Sequence, residues 1–164
     1  MIFWNVFLNS IRLPNKKALF NLNRNGLDIA LIYTLILLLF VSLPSLVDRL
    51  LNASGISADM NILFTLIYFF IFYYLPLAII VFINLSIIAY IGKVITRLMN
   101  RKLHYSILWK MSAFTVTIPF LLYTVIAFVL PVNDIYLFFS FIYTIGLLIK
   151  MISIYPKRRN RSKS

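Results

Sequence analysis

KVITRLMNRKLHYSILWK, residues Lys93–Lys110, sets five basic side chains (Lys93, Arg97, Arg101, Lys102 and Lys110) between two long apolar runs. Cytoplasmic segments of membrane proteins retain Lys and Arg, so the stretch reads as a cytosolic loop joining two membrane crossings. Moving outward from it, the apolar runs are residues 27–47, 61–91, 109–130 and 135–155. Arg12, Lys16, Lys17 and Arg24 precede the first run, and Lys150, Lys157, Arg158, Arg159, Arg161 and Lys163 close the last. Fifteen of the 16 basic residues thus fall on one side of a four-span arrangement, and Arg49 alone on the other. The expected fold class is an all-α integral membrane protein of four transmembrane helices, with both termini in the cytosol.

That topology has a direct test, because the chain has no cysteine. Single cysteines at Ser54, Asn133 and Ser162 are exposed to an impermeant thiol reagent on intact cells. Labelling of the first two and protection of the third is the expected pattern, and the reverse pattern overturns it.

The chain is 62% hydrophobic and 12% charged, with a mean hydropathy of +0.95, outside the range of soluble domains. A transmembrane helix takes about 20 residues, so four spans leave short loops, an N-terminal segment and a basic tail in 164 residues. The organisation expected is an interfacial helix and basic connector over 1–26, a four-span bundle over 27–155 and a basic cytoplasmic tail over 156–164. The net charge of +12 raises nucleic acid as a partner. However, the basic residues cluster at span ends, where topology and anionic lipid headgroups account for them, so no nucleic acid partner is expected.

Residues 1–13 read as an amphipathic helix lying on the membrane. Asn5, Asn9, Arg12 and Lys16 recur at spacings of four and three and form one polar stripe, while Ile2, Phe3, Trp4, Phe7, Leu8 and Ile11 cover the rest. Trp4 suits the interface, and Arg12, Lys16, Lys17, Arg158, Arg159 and Arg161 suit contact with anionic lipids at the cytoplasmic surface. Pro14 ends the helix, and Asn25-Gly26 punctuates the connector before the first span. The first span reads as a signal anchor rather than a cleaved signal peptide, since it is long and lacks a small-residue cleavage site. Ile2 excludes N-myristoylation, and the absence of cysteine excludes palmitoylation.

Chemistry-bearing residues are few. The only acids are Asp28, Asp48, Asp59 and Asp134. Asp28 sits at the start of the first span, where a carboxylate complements a helix N-terminus, and the other three belong to the opposite side. Lys150 has a stem long enough to snorkel to the interface. His104 stands in the basic loop with no acidic or thiol neighbour. No carboxylate pair, metal-ligand cluster, phosphate loop or nucleophile elbow is present, so no catalytic residue, metal or cofactor is expected. Asn52-Ala53-Ser54 has the form of a glycosylation acceptor, with meaning only in a eukaryotic secretory pathway.

The spans carry neutral polarity and proline instead. Pro44, Pro76 and Pro119 are candidate helix kinks, each freeing a carbonyl that another group must satisfy. Thr115, Thr117, Thr124, Ser140, Thr144, Asn84 and the hydroxyls of Tyr73, Tyr74, Tyr123 and Tyr143 are available for interhelical bonds or for a polar track. Phe64, Phe69, Phe72 and Tyr73 make the second span aromatic on one half and are the candidate partner interface, toward another membrane protein or a second copy.

Two stretches also resemble a known family. One is Phe7-Leu8-Asn9-Ser10-Ile11, Pro14 and Lys17, followed by a long span ending Ser42-Leu43-Pro44-Ser45. The other is Leu103-His104-Tyr105-Ser106-Ile107-Leu108-Trp109-Lys110-Met111-Ser112-Ala113, leading to Thr117-Ile118-Pro119. Both are similar to the Gram-positive MalA-like membrane proteins of domain of unknown function 1189, whose layout is distantly like that of Yip1-type multi-span proteins. The resemblance implies a bacterial plasma membrane and no activity. It also makes this chain a short form, since residues 48–60 stand where that family usually carries an extracytoplasmic domain. The function expected is a non-enzymatic accessory or regulatory subunit of an envelope or transporter complex. The alternative is a small oligomeric carrier or lipid-translocating protein.

Overall fold

A computed structural model describes residues 2–51, 61–133 and 135–156. Arg158, Arg159, Arg161 and the Asn52-Ala53-Ser54 tripeptide lie outside the described residues. The described chain is helical: α1 (Ile2–Ile11), α2 (Lys16–Asn23), α3 (Leu27–Leu51), α4 (Ile62–Phe69), a π-helical turn (Phe70–Tyr74), α5 (Leu75–Leu98), α6 (Tyr105–Thr115), α7 (Thr117–Val129) and α8 (Ile135–Ile154). These make four spans long and apolar enough to cross a membrane: α3, the continuous α4–α5 rod, α6 with α7, and α8. The short apolar N-terminal helix precedes them. A membrane-embedded four-helix protein follows, as the hydropathy pattern predicts.

The centre of the bundle is α6. Every residue from Leu108 to Thr117 is buried, and the helix packs against α5, α3, α8 and α2. Its small residues Ser112, Ala113 and Thr115 let neighbouring backbones approach, which drives helix association in lipid where apolar burial does not. The hydroxyls return to their own helix: Ser112 Oγ donates to Leu108 O at 2.9 Å and Thr115 Oγ1 to Met111 O at 2.7 Å. On α8, Thr144, Leu148, Met151 and Ile152 form the buried stripe. At Gly92 of α5 a Cβ would lie 2.7 Å from Leu148 Cδ2, so any other residue there has to displace the Leu148 side chain between α5 and α8.

Proline explains two irregularities. Pro76 has no N–H to give Phe72, and its ring crowds that carbonyl. The turn before it widens, and the Leu75 N–H bonds back five residues to Phe70 O, giving the π-helical turn. The third span breaks at Val116, one turn before Pro119. Thr117 Oγ1 stitches the break by donating to Phe114 O at 2.8 Å, which leaves the Tyr33 hydroxyl of α3 as donor in the 2.9 Å bond between the two. Pro44, by contrast, sits inside an uninterrupted α3.

Helix α2 covers the basic end of the bundle, and α1 runs from it along the third span, its Phe3 and Trp4 reaching Phe40 and Leu121. Val6 and Ser10 of α1 are buried, with α1 packed on α6 and α7, and Ala18, Leu19 and Leu22 bury α2 against α6. The polar stripe of α1 therefore flanks a second, buried stripe that rests on protein. At the other extreme stands the 37-residue rod Ile62–Leu98, only 11% of whose most apolar window is buried. At roughly 1.5 Å per residue the rod is about 55 Å long, well beyond a hydrocarbon core of about 30 Å.

Candidate functional site: a tyrosine-lined cleft

A cleft of about 230 Å³ opens where all four spans meet, at the end of the bundle away from the basic loop. Leu38 and Val41 of α3, Leu77 and Val81 of α5, and Phe120 of α7 make apolar walls; Tyr73, Tyr123, Asn133, Tyr136 and Ser140 add polar groups. The π-helical turn aims Tyr73 and Tyr74 at α3. Tyr73 OH shares a 2.7 Å hydrogen bond with Ser45 Oγ, and Tyr74 OH donates to Leu35 O at 2.9 Å. Both bonds tie the second span to the first across the turn that Pro76 loosens. On the opposite wall the Tyr136 hydroxyl donates to Pro119 O, and the rings of Tyr123 and Tyr136 lie 5.8 Å apart, tilted by 55°.

One lining residue, Tyr73, has a cation beside it. The Arg49 guanidinium lies 5.5 Å from the centre of the Tyr73 ring, a cation over an aromatic face. Arg49 is the one basic residue the sequence assigns to this side of the bundle. Among the described residues the cleft thus combines apolar walls and hydroxyls, with the Arg49 cation against the ring of one of its tyrosines. Among the described residues no three of His, Cys, Asp and Glu come close enough to hold a metal ion.

The residues singled out from sequence are scattered. Arg12, Lys16 and Lys17 are exposed at the basic end, as are His104, Asp28 and Lys150. Trp4 is exposed and stacks on Phe7 at 5.7 Å, and with Phe3 it lines an apolar groove shared with Tyr33, Phe40 and Leu121. Of the aromatic quartet in the second span, Phe64 and Phe72 face outward. Phe69 does not: it is 1% exposed and stacks on Tyr73 at 5.0 Å, so it packs inside the chain. Tyr73 is half-buried in the cleft. The π-helical turn separates them, because one extra residue in a turn rotates everything beyond it relative to the helix before.

In the sequence Lys110 is one more basic residue of the cytosolic loop, yet it is 8% exposed and inside the fold. Its ammonium donates to Asn23 O at 2.9 Å and Asn25 O at 2.7 Å, capping the end of α2 and fixing the connector to α3. The signal available was a lysine between Trp109 and Met111 in an otherwise apolar helix. Trp109 Nε1 likewise donates to Ser86 Oγ at 3.2 Å, joining α6 to α5.

A family model described as "Protein of unknown function (DUF1189)" matches residues 45–154, which takes in the end of α3, the remaining three spans and all of the cleft lining except Leu38 and Val41. No curated protein and no solved structure matches the chain.

Proposed function

We propose that this chain, which belongs to the DUF1189 family of proteins of unknown function, is a non-enzymatic membrane protein that holds an anionic lipid in the tyrosine-lined cleft. The observation that carries the reading is Arg49 over the ring of Tyr73, a lining residue of a cleft to which every span contributes. A phosphate headgroup pairs with a guanidinium and accepts hydrogen bonds from hydroxyls, while Leu38, Val41, Leu77 and Val81 offer an apolar wall to an acyl chain. At about 230 Å³ the space takes part of one chain rather than a whole lipid. In the orientation set by the basic loop, with both termini cytosolic in a bacterial plasma membrane, the cleft serves the outer leaflet. A carrier or lipid-moving role suits this position, and the scarcity of ionisable side chains within the spans argues against proton-coupled transport.

Native mass spectrometry of the full chain, taken from nanodiscs of mixed phosphatidylglycerol and phosphatidylcholine, tests the reading. One phosphatidylglycerol should stay bound preferentially, and both Arg49→Gln and the cleft-filling Ser140→Phe should lower its retention about tenfold, the scale of one charge-assisted hydrogen bond. Equal retention of the two lipids, or retention unchanged in both variants, overturns it.

The exposed second span favours a second reading, an accessory or regulatory subunit of an envelope complex. A stoichiometric partner purified with the chain from native membranes in mild detergent supports that reading, and its absence removes it.

A further inference from the structure

Ile80, Asn84, Ile87, Ile91, Val94 and Leu98 follow one another on α5 at spacings of four, three, four, three and four. That is the heptad repeat of a coiled-coil seam. The chain's own packing does not use it. The buried residues of α5 are Ala78, Leu85, Ile88, Ala89, Gly92 and Thr96, on the other side of the helix. Ile80, Ile87, Val94 and Leu98 are between 44% and 77% exposed, Asn84 is exposed and Ile91 half-buried.

Asn84 is the informative member. It precedes Lys93 by nine residues, so it lies roughly 13 Å inside the basic edge, near the middle of a hydrocarbon core about 30 Å thick. Its amide makes one hydrogen bond among the described residues, from Nδ2 to Ile80 O at 2.9 Å. A second N–H and the Oδ1 acceptor remain, and lipid tails at that depth can satisfy neither.

We infer that the α5 seam pairs with the α5 seam of a second copy of this chain, with the two Asn84 amides bonded to each other at its centre. Two copies insert in the same orientation, so a closed pair has its two-fold axis along the membrane normal and sets each seam residue against itself. An amide is self-complementary, carrying both donor and acceptor, and a lone Asn among apolar seam positions fixes register in a two-stranded coil. Another occupant would have to bring its own amide or hydroxyl to the same depth and an apolar repeat in the same phase. A second copy has both by identity. This pairing is independent of what occupies the cleft.

The cysteine-free chain allows a position-by-position test in native membranes. Ile80→Cys, Ile87→Cys, Ile91→Cys and Val94→Cys, each oxidised with copper phenanthroline, should give a disulfide-linked species of twice the chain mass. Ile79→Cys and Tyr90→Cys, at sites 52% and 65% exposed but off the seam, should stay monomeric. Adding Asn84→Leu to Ile87→Cys should lower the yield of linked dimer about tenfold, the scale of an interhelical polar contact in lipid, and Asn84→Gln should restore part of it. Asn84 is exposed, so the leucine variant keeps the monomer fold, which a monodisperse chromatographic peak verifies. Cross-linking without the heptad phase, adducts of another mass, or a yield indifferent to Asn84→Leu overturns the pairing.

Discussion

Alanine in place of Phe114 should cost the bundle about 3–5 kcal/mol, the range for truncating a fully buried aromatic side chain. Phe114 is 0% exposed, lies in the last turn of the most buried helix and meets the Tyr33 ring at 5.8 Å with a 55° tilt. Its loss leaves a void between α6 and α3 that neither rod can fill by tilting, because Tyr33 is held by Thr117 through the stitched break in the third span. In detergent the variant should lose its monodisperse chromatographic peak at a temperature well below that of the parent. Phe72→Ala is the matched control: it removes the same ring from an exposed site and should leave thermal stability unchanged. If the two variants melt together, α6 is not the centre of the fold.

The spans were legible because their signals are local. A run of apolar residues and the charges at its ends are read without knowing which helix lies beside which. The short apolar N-terminal helix was legible for the same reason, from residues three and four apart. What the sequence did not disclose depends on neighbours brought together from afar. Lys110 carries the same local sign as Arg101 and Lys102; only the placement of α2 beside α6 turns it inward, onto carbonyls 85 and 87 residues earlier. Phe69 and Phe72 look equivalent in a regular helix, and the π-helical turn ahead of Pro76 parts them. The cleft requires all four spans at once, so Tyr73 and Tyr123 could be recognised as hydroxyls in need of partners but not assigned to one wall or the other, and Tyr136, beside the outer turn, gave no signal of its own.

Lys110→Met is the second substitution with a large expected effect, and it acts at the basic end rather than at the centre. Methionine keeps the length and the apolar stem, so packing against α6 neighbours is preserved while both donors to Asn23 O and Asn25 O are removed. Bonds from a charged donor are each worth about 1.5–3 kcal/mol, and the carbonyls are left without a replacement. The connector between α2 and α3, which contains Arg24, should then open locally more often. Trypsin reads that opening directly, because cleavage after Arg24 needs the peptide free of the fold. Cleavage there should accelerate at least about tenfold in Lys110→Met, the equivalent of 1.4 kcal/mol, with the spans themselves still protected. A cleavage rate equal to that of the parent means that α2 is held by the burial of Ala18, Leu19 and Leu22 alone, and that the lysine is an exchangeable topological charge after all.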